Sequence, residues 1–258
     1  MNYPLGFAAV GFPLLFAHRG LRSDYPENTM AAFTACRTYG IPGIELDVHI
    51  TLDGKVVVIH DNNLLRVANN PIIVEESTYA ELLHLDVGSH QDPSFHKERI
   101  PLLEDVLQEF GRSTYFDIEL KNGVATDRGL AQATAEILHK TAPAMPVLIS
   151  SFNPLELRRF RAVMPGIATA AIYSNDQEVP WYLRSGLGRI AGKADGYKLH
   201  CDLSEHRLKH NRSWTLPWTI NDRSLGRQLL QNGAIGLVSD DPRPFLLWQT
   251  PQHILSDA

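Results

Sequence analysis

Residues 43–60 read GIELDVHITLDGKVVVIH, two apolar runs on either side of an Asp-Gly pair. An Asp-Gly pair between two extended runs is a strong signal for a β-hairpin. We therefore expect a strand over Gly43–Thr51 and a second strand, Val56–His60, that pairs antiparallel with the end of the first. The first run is apolar on both faces apart from its acids, which is typical of a parallel strand covered by helices.

Strand-like runs alternate with helical patterns along most of the chain. The other predicted strands are Leu14–His18, Tyr115–Lys121, Val147–Phe152, Ala168–Ile172, Gly196–His200, Leu216–Ile220 and Ile235–Asp240. The predicted helices are Thr29–Tyr39, Leu102–Phe110, Asp127–Thr141, Pro154–Val163, Trp181–Leu187, Ser204–Asn211 and Arg223–Asn232. With the hairpin counted as one strand position, eight alternating units in 258 residues predict an α/β fold, a (β/α)8 TIM barrel. A doubly wound open sheet has the same periodicity and is the alternative.

Residues 62–100 interrupt this alternation. They contain an Asn-Asn-Pro turn signal, a short helical pattern over Tyr79–Leu85 and a polar run over Gly88–Arg99. A segment of this length is too short to bury a core of its own. We therefore interpret residues 1–258 as a single barrel domain and residues 62–100 as an insertion over its strand ends.

Composition and charge narrow the possible partners. The chain is 44% hydrophobic, and its net charge of −5 creates no field that attracts nucleic acid or anionic lipid. Two cysteines without close spacing indicate a reducing cytoplasm. The apolar opening lacks the basic start of a signal peptide, and no window has the length of a membrane span. We expect a soluble cytoplasmic protein with a small-molecule substrate, no nucleic-acid partner and no stable membrane insertion; the oligomeric state stays open.

Histidines end two of the predicted strands. His18, followed by Arg19 and Gly20, ends the first strand, and His60 ends the second arm of the hairpin. The C-terminal ends of barrel strands face the catalytic mouth. Histidine can transfer protons near neutral pH, and the guanidinium of Arg19 matches the oxygens of a phosphate. A strand-end histidine that only binds a backbone carbonyl is the alternative interpretation.

Carboxylates lie on one face of two predicted strands. Glu45 and Asp47 are two residues apart, so their side chains share a face, and Glu119 lies near the end of the next strand. Buried like charges repel unless a cation lies between them, and such oxygen ligands suit Mg²⁺ or Ca²⁺. Lys121 offers a second cation for a phosphate, and Asp117, deeper in its strand, is a candidate for a structural ion pair. An exposed acidic edge strand, with the lysine in solvent, is the alternative.

Ordered motifs along almost the whole chain resemble the glycerophosphodiester phosphodiesterase family, in its bacterial cytoplasmic type. The motifs are His18-Arg19-Gly20, Pro26-Glu27-Asn28-Thr29, Ile44-Glu45-Leu46-Asp47-Val48, Thr51-Leu52-Asp53-Gly54, His60-Asp61, Ile100-Pro101-Leu102-Leu103-Glu104, Ile118-Glu119-Leu120-Lys121, Ser151-Phe152, Trp218-Thr219-Ile220-Asn221 and Ser239-Asp240. One departure is residues 65–70, where relatives often carry Thr-Thr and a glycine after the arginine. This departure leaves open the shape of the insertion and of the pocket for the alcohol group.

The resemblance implies a role for each matched position. The implied roles are catalytic for His18 and His60, metal-ligating for Glu45, Asp47 and Glu119, substrate-binding for Arg19, Lys121, Phe152 and Trp218, and supporting for Glu27 and Asn28. Asn28 is also expected to cap the helix that begins at Thr29. The implied activity is metal-dependent hydrolysis of glycerophosphodiesters to sn-glycerol 3-phosphate and an alcohol, with Mg²⁺ or Ca²⁺ as cofactor. The alternatives are a lysophospholipase D and a catalytically silent barrel that binds a phosphodiester.

Overall fold

A computed structural model describes residues 3–123, 126–175, 192–203 and 213–249 of the chain. Its strands are β1 (Leu14–His18), β2 (Gly43–Ile50), β3 (Val56–Val58), β4 (Tyr115–Leu120), β5 (Val147–Ser151), β6 (Ala168–Tyr173), β7 (Gly196–His200), β8 (Thr215–Trp218) and β9 (Gly236–Ser239). Its helices are α1 (Met30–Thr38), α2 (Leu65–Ala68), α3 (Tyr79–Leu82), α4 (Leu103–Phe110), α5 (Leu130–Thr141), α6 (Pro154–Val163) and α7 (Arg223–Gln231). The helices predicted over Trp181–Leu187 and Ser204–Asn211 lie outside the described residues.

Eight parallel strands form one sheet in the order β9-β1-β2-β4-β5-β6-β7-β8. Two backbone hydrogen bonds join the ends of this sheet. The amide of Ile235 donates to the carbonyl of Thr215 at 3.0 Å, and the amide of Ile220 donates to the carbonyl of Val238 at 2.8 Å. An open doubly wound sheet would leave β8 and β9 apart, so the predicted (β/α)8 barrel is confirmed.

β3 lies outside the barrel and pairs antiparallel with β2, with Val48 opposite Val58. The intervening turn contains Gly54 at φ +79, in the left-handed region that such turns reserve for glycine. The hairpin predicted from the Asp-Gly pair is therefore confirmed. Beyond β3, the amide of Ile59 donates to the carbonyl of Asp47 at 3.0 Å, which brings His60 beside the end of β2.

Helix starts differ from the predicted ones where a cap or a turn decides them. Thr29 has an extended backbone and its side chain accepts a hydrogen bond from the amide of Ala32, so α1 begins at Met30. The helix predicted from residue 127 begins at Leu130, because Gly129 before it adopts the left-handed conformation at φ +82. Hydrophobic periodicity alone does not detect either of these helix starts.

Aromatic side chains close the N-terminal end of the barrel. The rings of Phe7 and Phe16 lie 5.7 Å and 4.9 Å from the ring of Tyr115. The Tyr115 hydroxyl donates to the carbonyl of Leu15 at 3.1 Å and accepts from its amide at 2.9 Å. A Cβ atom on Gly43 would lie 2.1 Å from the Tyr115 ring, so only glycine leaves room for it. This apolar plug leaves the opposite end of the barrel for polar groups.

Residues 62–100 contain α2, α3 and short 3₁₀ turns that pack beside β3. Apolar side chains of this segment form one cluster with the hairpin; its members are Val57, Ile59, Leu64, Val67, Val74, Leu82, Val87 and Ile100. The segment therefore shares its core with the hairpin rather than burying one alone. Within the described ranges, no helix has both the length and the apolar character needed to cross a membrane.

Candidate active site

Three buried carboxylates meet at the C-terminal ends of β2 and β4. Glu45 and Asp47 lie on β2, and Glu119 lies on β4 directly opposite Asp47 in the strand register. Their oxygens lie within 4.8 Å of one another, and none of the three residues is more than 6% exposed. Like charges this close need positive charge among them, and carboxylate oxygens are the ligands of hard divalent cations. The three acids can therefore hold a divalent cation.

Positive side chains surround Asp47. Arg19 Nε lies 3.3 Å and Lys121 Nζ lies 3.7 Å from its carboxylate oxygens, and Lys121 Nζ also lies 3.1 Å from Glu119 Oε1. Burial raises the pKa of Asp47, but the charges of His60, Arg19 and Lys121 lower it more, so the net pKa is well below its usual range. Asp47 is therefore ionised at neutral pH, as a cation ligand must be.

The loop after β1 brings Arg19 and Asn28 to these acids through an unusual backbone. Their φ angles are +58 and +56, in the left-handed region that non-glycine residues rarely adopt. The amide of Arg19 donates to Glu45 Oε2 at 3.1 Å, and Asn28 Nδ2 donates to Asp47 Oδ2 at 2.9 Å. Thr29 caps α1 instead of Asn28, so the predicted capping role of Asn28 is wrong and its side chain reaches the acids.

Both strand-end histidines hold a carboxylate on Nδ1. His18 Nδ1 lies 2.7 Å from Asp240 Oδ1, and His60 Nδ1 lies 2.6 Å from Asp61 Oδ1. Burial raises the pKa of Asp240, but the hydrogen bond and the charge of His18 lower it more, to about 2. His60 Nε2 lies 3.0 Å from Lys121 Nζ, which places that ring next to the carboxylate cluster. With Nδ1 engaged, Nε2 is the nitrogen that each ring can offer for proton transfer.

Glu27 and Arg66 connect Arg19, which follows His18 in the chain, with Asp61, the carboxylate that pairs with His60. Glu27 Oε1 accepts from Arg19 Nη1 at 3.0 Å and from Arg66 Nη2 at 2.5 Å. Arg66 Nε also donates to Asp61 Oδ2 at 2.6 Å. One guanidinium therefore binds both the carboxylate that holds Arg19 and the carboxylate that holds His60. Arg66 belongs to residues 62–100, where sequence reasoning placed no functional residue.

Glu27 makes the stability of the fold sensitive to acid. Burial raises its pKa, but hydrogen bonding to Arg66 and the charges of Arg19, Arg66 and Arg22 lower it more, from 4.5 to about 2. A carboxylate whose pKa falls on folding stabilises the protein fully above pH 4.5, and this contribution is lost as the pH falls toward 2. Over this range we expect the free energy of unfolding of the wild type to fall by about 3 kcal/mol more than that of Glu27→Gln.

Urea unfolding of both proteins at a series of pH values measures this difference. Glu27→Gln is less stable at neutral pH, because it removes the negative charge that faces the guanidinium groups of Arg19, Arg22 and Arg66. Its stability nevertheless depends less on pH than that of the wild type. Parallel pH dependences for the two proteins would contradict the assignment.

A buried lysine that sequence reasoning did not single out lies beneath the carboxylates. Lys198 Nζ, on β7, is 2.8 Å from Asp117 Oδ2 and 3.1 Å from Glu45 Oε1, and its side chain is 2% exposed. Ser150 Oγ donates to Asp117 Oδ1 at 2.6 Å. Asp117 is therefore a structural ion-pair partner, in agreement with its depth in the strand. The signal for Lys198 was a lysine in the middle of a predicted buried strand.

Phe152 and Trp218 lie together at the mouth of the barrel. Their rings meet edge to face with centroids 5.9 Å apart, and the Trp218 ring lies 6.4 Å from that of His18. His200, at the end of β7, packs edge to face on Trp218 at 5.2 Å. Of the two aromatic residues predicted to line the pocket, Trp218 is thus adjacent to His18, and Phe152 packs on Trp218.

Two groups suited to proton transfer and three acids suited to a cation share one barrel mouth, which is what a hydrolase of phosphate esters requires. Sequence comparison narrows this class. Residues 18–243 match the model of the Glycerophosphoryl diester phosphodiesterase family. The chain belongs to this family, and the predicted resemblance and enzyme class, a glycerophosphodiester phosphodiesterase, are confirmed.

Individual relatives extend over nearly the whole chain. A glycerophosphodiester phosphodiesterase of Caldanaerobacter subterraneus subsp. tengcongensis is 32% identical over 241 residues, which cover 90% of this chain and 96% of the relative. A lysophospholipase D of Rattus norvegicus is 39% identical over 266 residues, with 88% and 82% coverage. A phosphodiesterase of Oleispira antarctica, solved in complex with the product sn-glycerol-3-phosphate, has a TM-score of 0.79 at 28% identity, with 95% and 98% coverage.

Proposed function

We propose that this enzyme hydrolyses glycerophosphodiesters to sn-glycerol 3-phosphate and an alcohol in a metal-dependent reaction. The observation that carries the proposal is that Lys121 links the acid cluster to a carboxylate-paired histidine. Its Nζ lies 3.1 Å from Glu119 Oε1 and 3.0 Å from His60 Nε2. The product bound in the Oleispira antarctica relative supports the same substrate class.

Glu45, Asp47 and Glu119 are the proposed ligands of Mg²⁺ or Ca²⁺. The donor set fits either ion, because three buried carboxylates converge and Asp47 is held in its ionised form. When bound, the cation supplies Lewis-acid polarisation of the phosphate. Asn28 supports the cluster by fixing Asp47 through its amide.

Arg19 and Lys121 are the proposed phosphate-binding residues. Both lie against the carboxylates, yet their side chains keep 12% and 18% of their surface exposed, so an anionic ligand at the mouth can reach them. Glu27 holds Arg19 in place at 3.0 Å, which orients the guanidinium before substrate arrives. The two cations stabilise the negative charge that develops on the phosphate oxygens during the reaction.

His18 and His60 are the proposed acid/base pair. One ring accepts the proton of the attacking oxygen through Nε2, and the other donates a proton to the oxygen of the leaving alcohol. Asp240 and Asp61 hold Nδ1 of each ring and thereby fix the orientation of Nε2. The attacking oxygen is proposed to be the glycerol hydroxyl next to the ester, so that a cyclic phosphate forms and water then opens it. A substrate without this hydroxyl should be turned over slowly.

A lysophospholipase D activity is the second candidate. It is favoured by the relative from Rattus norvegicus, which is a lysophospholipase D. A single-chain lipid needs apolar surface beside the site, and Leu65, next to Arg66 in α2, exposes 56% of its surface. A catalytically silent barrel is not favoured. Loss of activity usually removes a metal ligand or a catalytic histidine, and here every position matched to the family motifs keeps such a residue.

Release of the head-group alcohol, choline or ethanolamine, by the purified protein tests these alternatives; the phosphorus product is glycerol 3-phosphate from the diesters and lysophosphatidic acid from the lysolipid. The substrates are glycerophosphocholine, glycerophosphoethanolamine and a lysophosphatidylcholine, each with Mg²⁺, with Ca²⁺ and with EDTA. We expect kcat/KM to be highest for the two water-soluble diesters and to vanish with EDTA. Turnover of the lysolipid alone would favour the second candidate, and turnover of none would contradict both.

We further propose that residues 1–258 act as one domain with residues 62–100 as an insertion, and that the protein works in the cytoplasm. Cys36 and Cys201 are free thiols, which supports a reducing compartment.

A further inference from the structure

We propose that His49 is a positioning residue for His60, an inference that rests on the proposed function. His49 lies on β2, two residues after Asp47. Its side chain reaches Glu75 in residues 62–100 and is buried, with 4% of its surface exposed. A buried imidazole needs hydrogen-bond partners, and those of His49 connect it to the site.

Two acceptors hold the His49 ring. Its Nδ1 lies 2.6 Å from Glu75 Oε1, and its Nε2 lies 3.0 Å from the backbone carbonyl oxygen of His60. A carboxylate and a carbonyl both accept, so each ring nitrogen donates one hydrogen bond. Burial raises the pKa of Glu75, but the hydrogen bond and charge of His49 lower it more. His49 therefore bridges an ionised carboxylate and the His60 peptide.

This bridge acts where the sheet ends. β3 ends at Val58, and the next residue, Ile59, still donates its amide to the carbonyl of Asp47 on β2. His60 follows directly after it. The carbonyl of His60 then turns to His49 instead of to a neighbouring strand. The position of the His60 backbone thus depends on a side chain that itself has no place in the proposed reaction.

The side chain of His60 makes this dependence relevant to the rate. Its ring spans from Asp61, 2.6 Å from Nδ1, to Lys121, 3.0 Å from Nε2. A shift of the backbone changes both contacts and moves Nε2 away from the reacting oxygen. Misplacement by about 1 Å can cost about 10²-fold in rate.

Two amide variants of His49 separate positioning from general stability. The amide nitrogen of glutamine lies close to where Nε2 was, so His49→Gln keeps the donor to the His60 carbonyl and loses Glu75. The amide nitrogen of asparagine lies close to where Nδ1 was, so His49→Asn keeps Glu75 and loses His60. We expect kcat of His49→Asn to fall about 10- to 100-fold below wild type with KM little changed, and His49→Gln to recover most of it.

Tyr115→Phe is the control for lost stability. It removes two buried hydrogen bonds to Leu15 at the opposite end of the barrel, so it should lower Tm and keep kcat. Equal kcat values for His49→Asn and His49→Gln, or a loss in His49→Asn carried by KM, overturn the inference.

A second pair of variants serves if His49→Asn does not fold. Glu75→Gln retains an amide oxygen that accepts from His49, whereas Glu75→Leu leaves Nδ1 without an acceptor. We expect Glu75→Leu to lower kcat relative to Glu75→Gln, and equal rates overturn the inference. Failure of the proposed function can be told apart from failure of this inference, because in that case the wild type itself turns over no phosphodiester in the same assay.

Discussion

Loss of either histidine is expected to lower kcat for glycerophosphocholine about 10²- to 10⁴-fold, the usual contribution of one general acid or base. His18→Ala and His60→Ala each remove an imidazole and leave its carboxylate partner, Asp240 or Asp61, in place. Proton transfer takes place in the transition state, so the loss should fall on kcat, with KM little changed. Steady-state kinetics of the two purified variants measure both parameters.

A substrate with a better leaving group distinguishes the two roles. p-Nitrophenolate leaves without a proton, so the p-nitrophenyl ester of glycerol 3-phosphate should restore the rate of the variant that lacks the acid. The variant that lacks the base should stay slow. His139→Ala, on the exposed side of α5, is the matched control and should keep the wild-type rate. Near-wild-type rates in both site variants, or rescue of both, would show that the acid/base pair is wrongly assigned.

Loss of one carboxylate from the acid cluster is expected to have a comparably large effect. Asp47→Asn and Glu119→Gln preserve side-chain size and remove one charge from a cluster whose oxygens lie within 4.8 Å of one another. Changes in residues that merely support a ligand cost about 10- to 100-fold in metal affinity, so loss of a ligand should cost more than about 10²-fold. Calorimetric titration with Mg²⁺ and Ca²⁺ measures the affinity, and kcat at rising metal concentration measures the consequence.

Asp117→Asn is the control for these variants. Asp117 lies on the same strand face as Glu119, but Lys198 at 2.8 Å and Ser150 at 2.6 Å bind it. We expect this variant to lower Tm and to keep the metal affinity. If Asp117→Asn loses as much affinity as Glu119→Gln, the ligand set is wrong, and an unchanged affinity in Asp47→Asn leads to the same conclusion.

Features that depend on nearby residues could be predicted from the sequence. The two-residue spacing of Glu45 and Asp47 is enough to place both side chains on one face of a strand. The Asp-Gly pair before Lys55 is enough to predict the hairpin that brings His60 next to β2. Strand ends were predicted within a residue or two, because apolar runs in a barrel stop where the polar mouth begins.

Features that depend on distant pairing could not be predicted. Asp240 reaches His18 across 222 positions, and only the pairing of β9 with β1 brings them together. Lys198 reaches Glu45 across 153 positions, through the register of strands that are not adjacent in sequence. His49 illustrates the same limit differently, because alternation puts it on the strand face of Glu45 and Asp47 but does not reveal that it binds the His60 carbonyl.

Phosphorus NMR of glycerophosphocholine with chelator-stripped protein tests metal-dependent phosphodiester hydrolysis most directly. Without added metal, we expect the diester resonance to persist. On addition of Mg²⁺ or Ca²⁺, it should be replaced by the resonance of sn-glycerol 3-phosphate, with an equal amount of choline released. Hydrolysis at full rate in excess EDTA, or no hydrolysis with any divalent cation, would contradict this function.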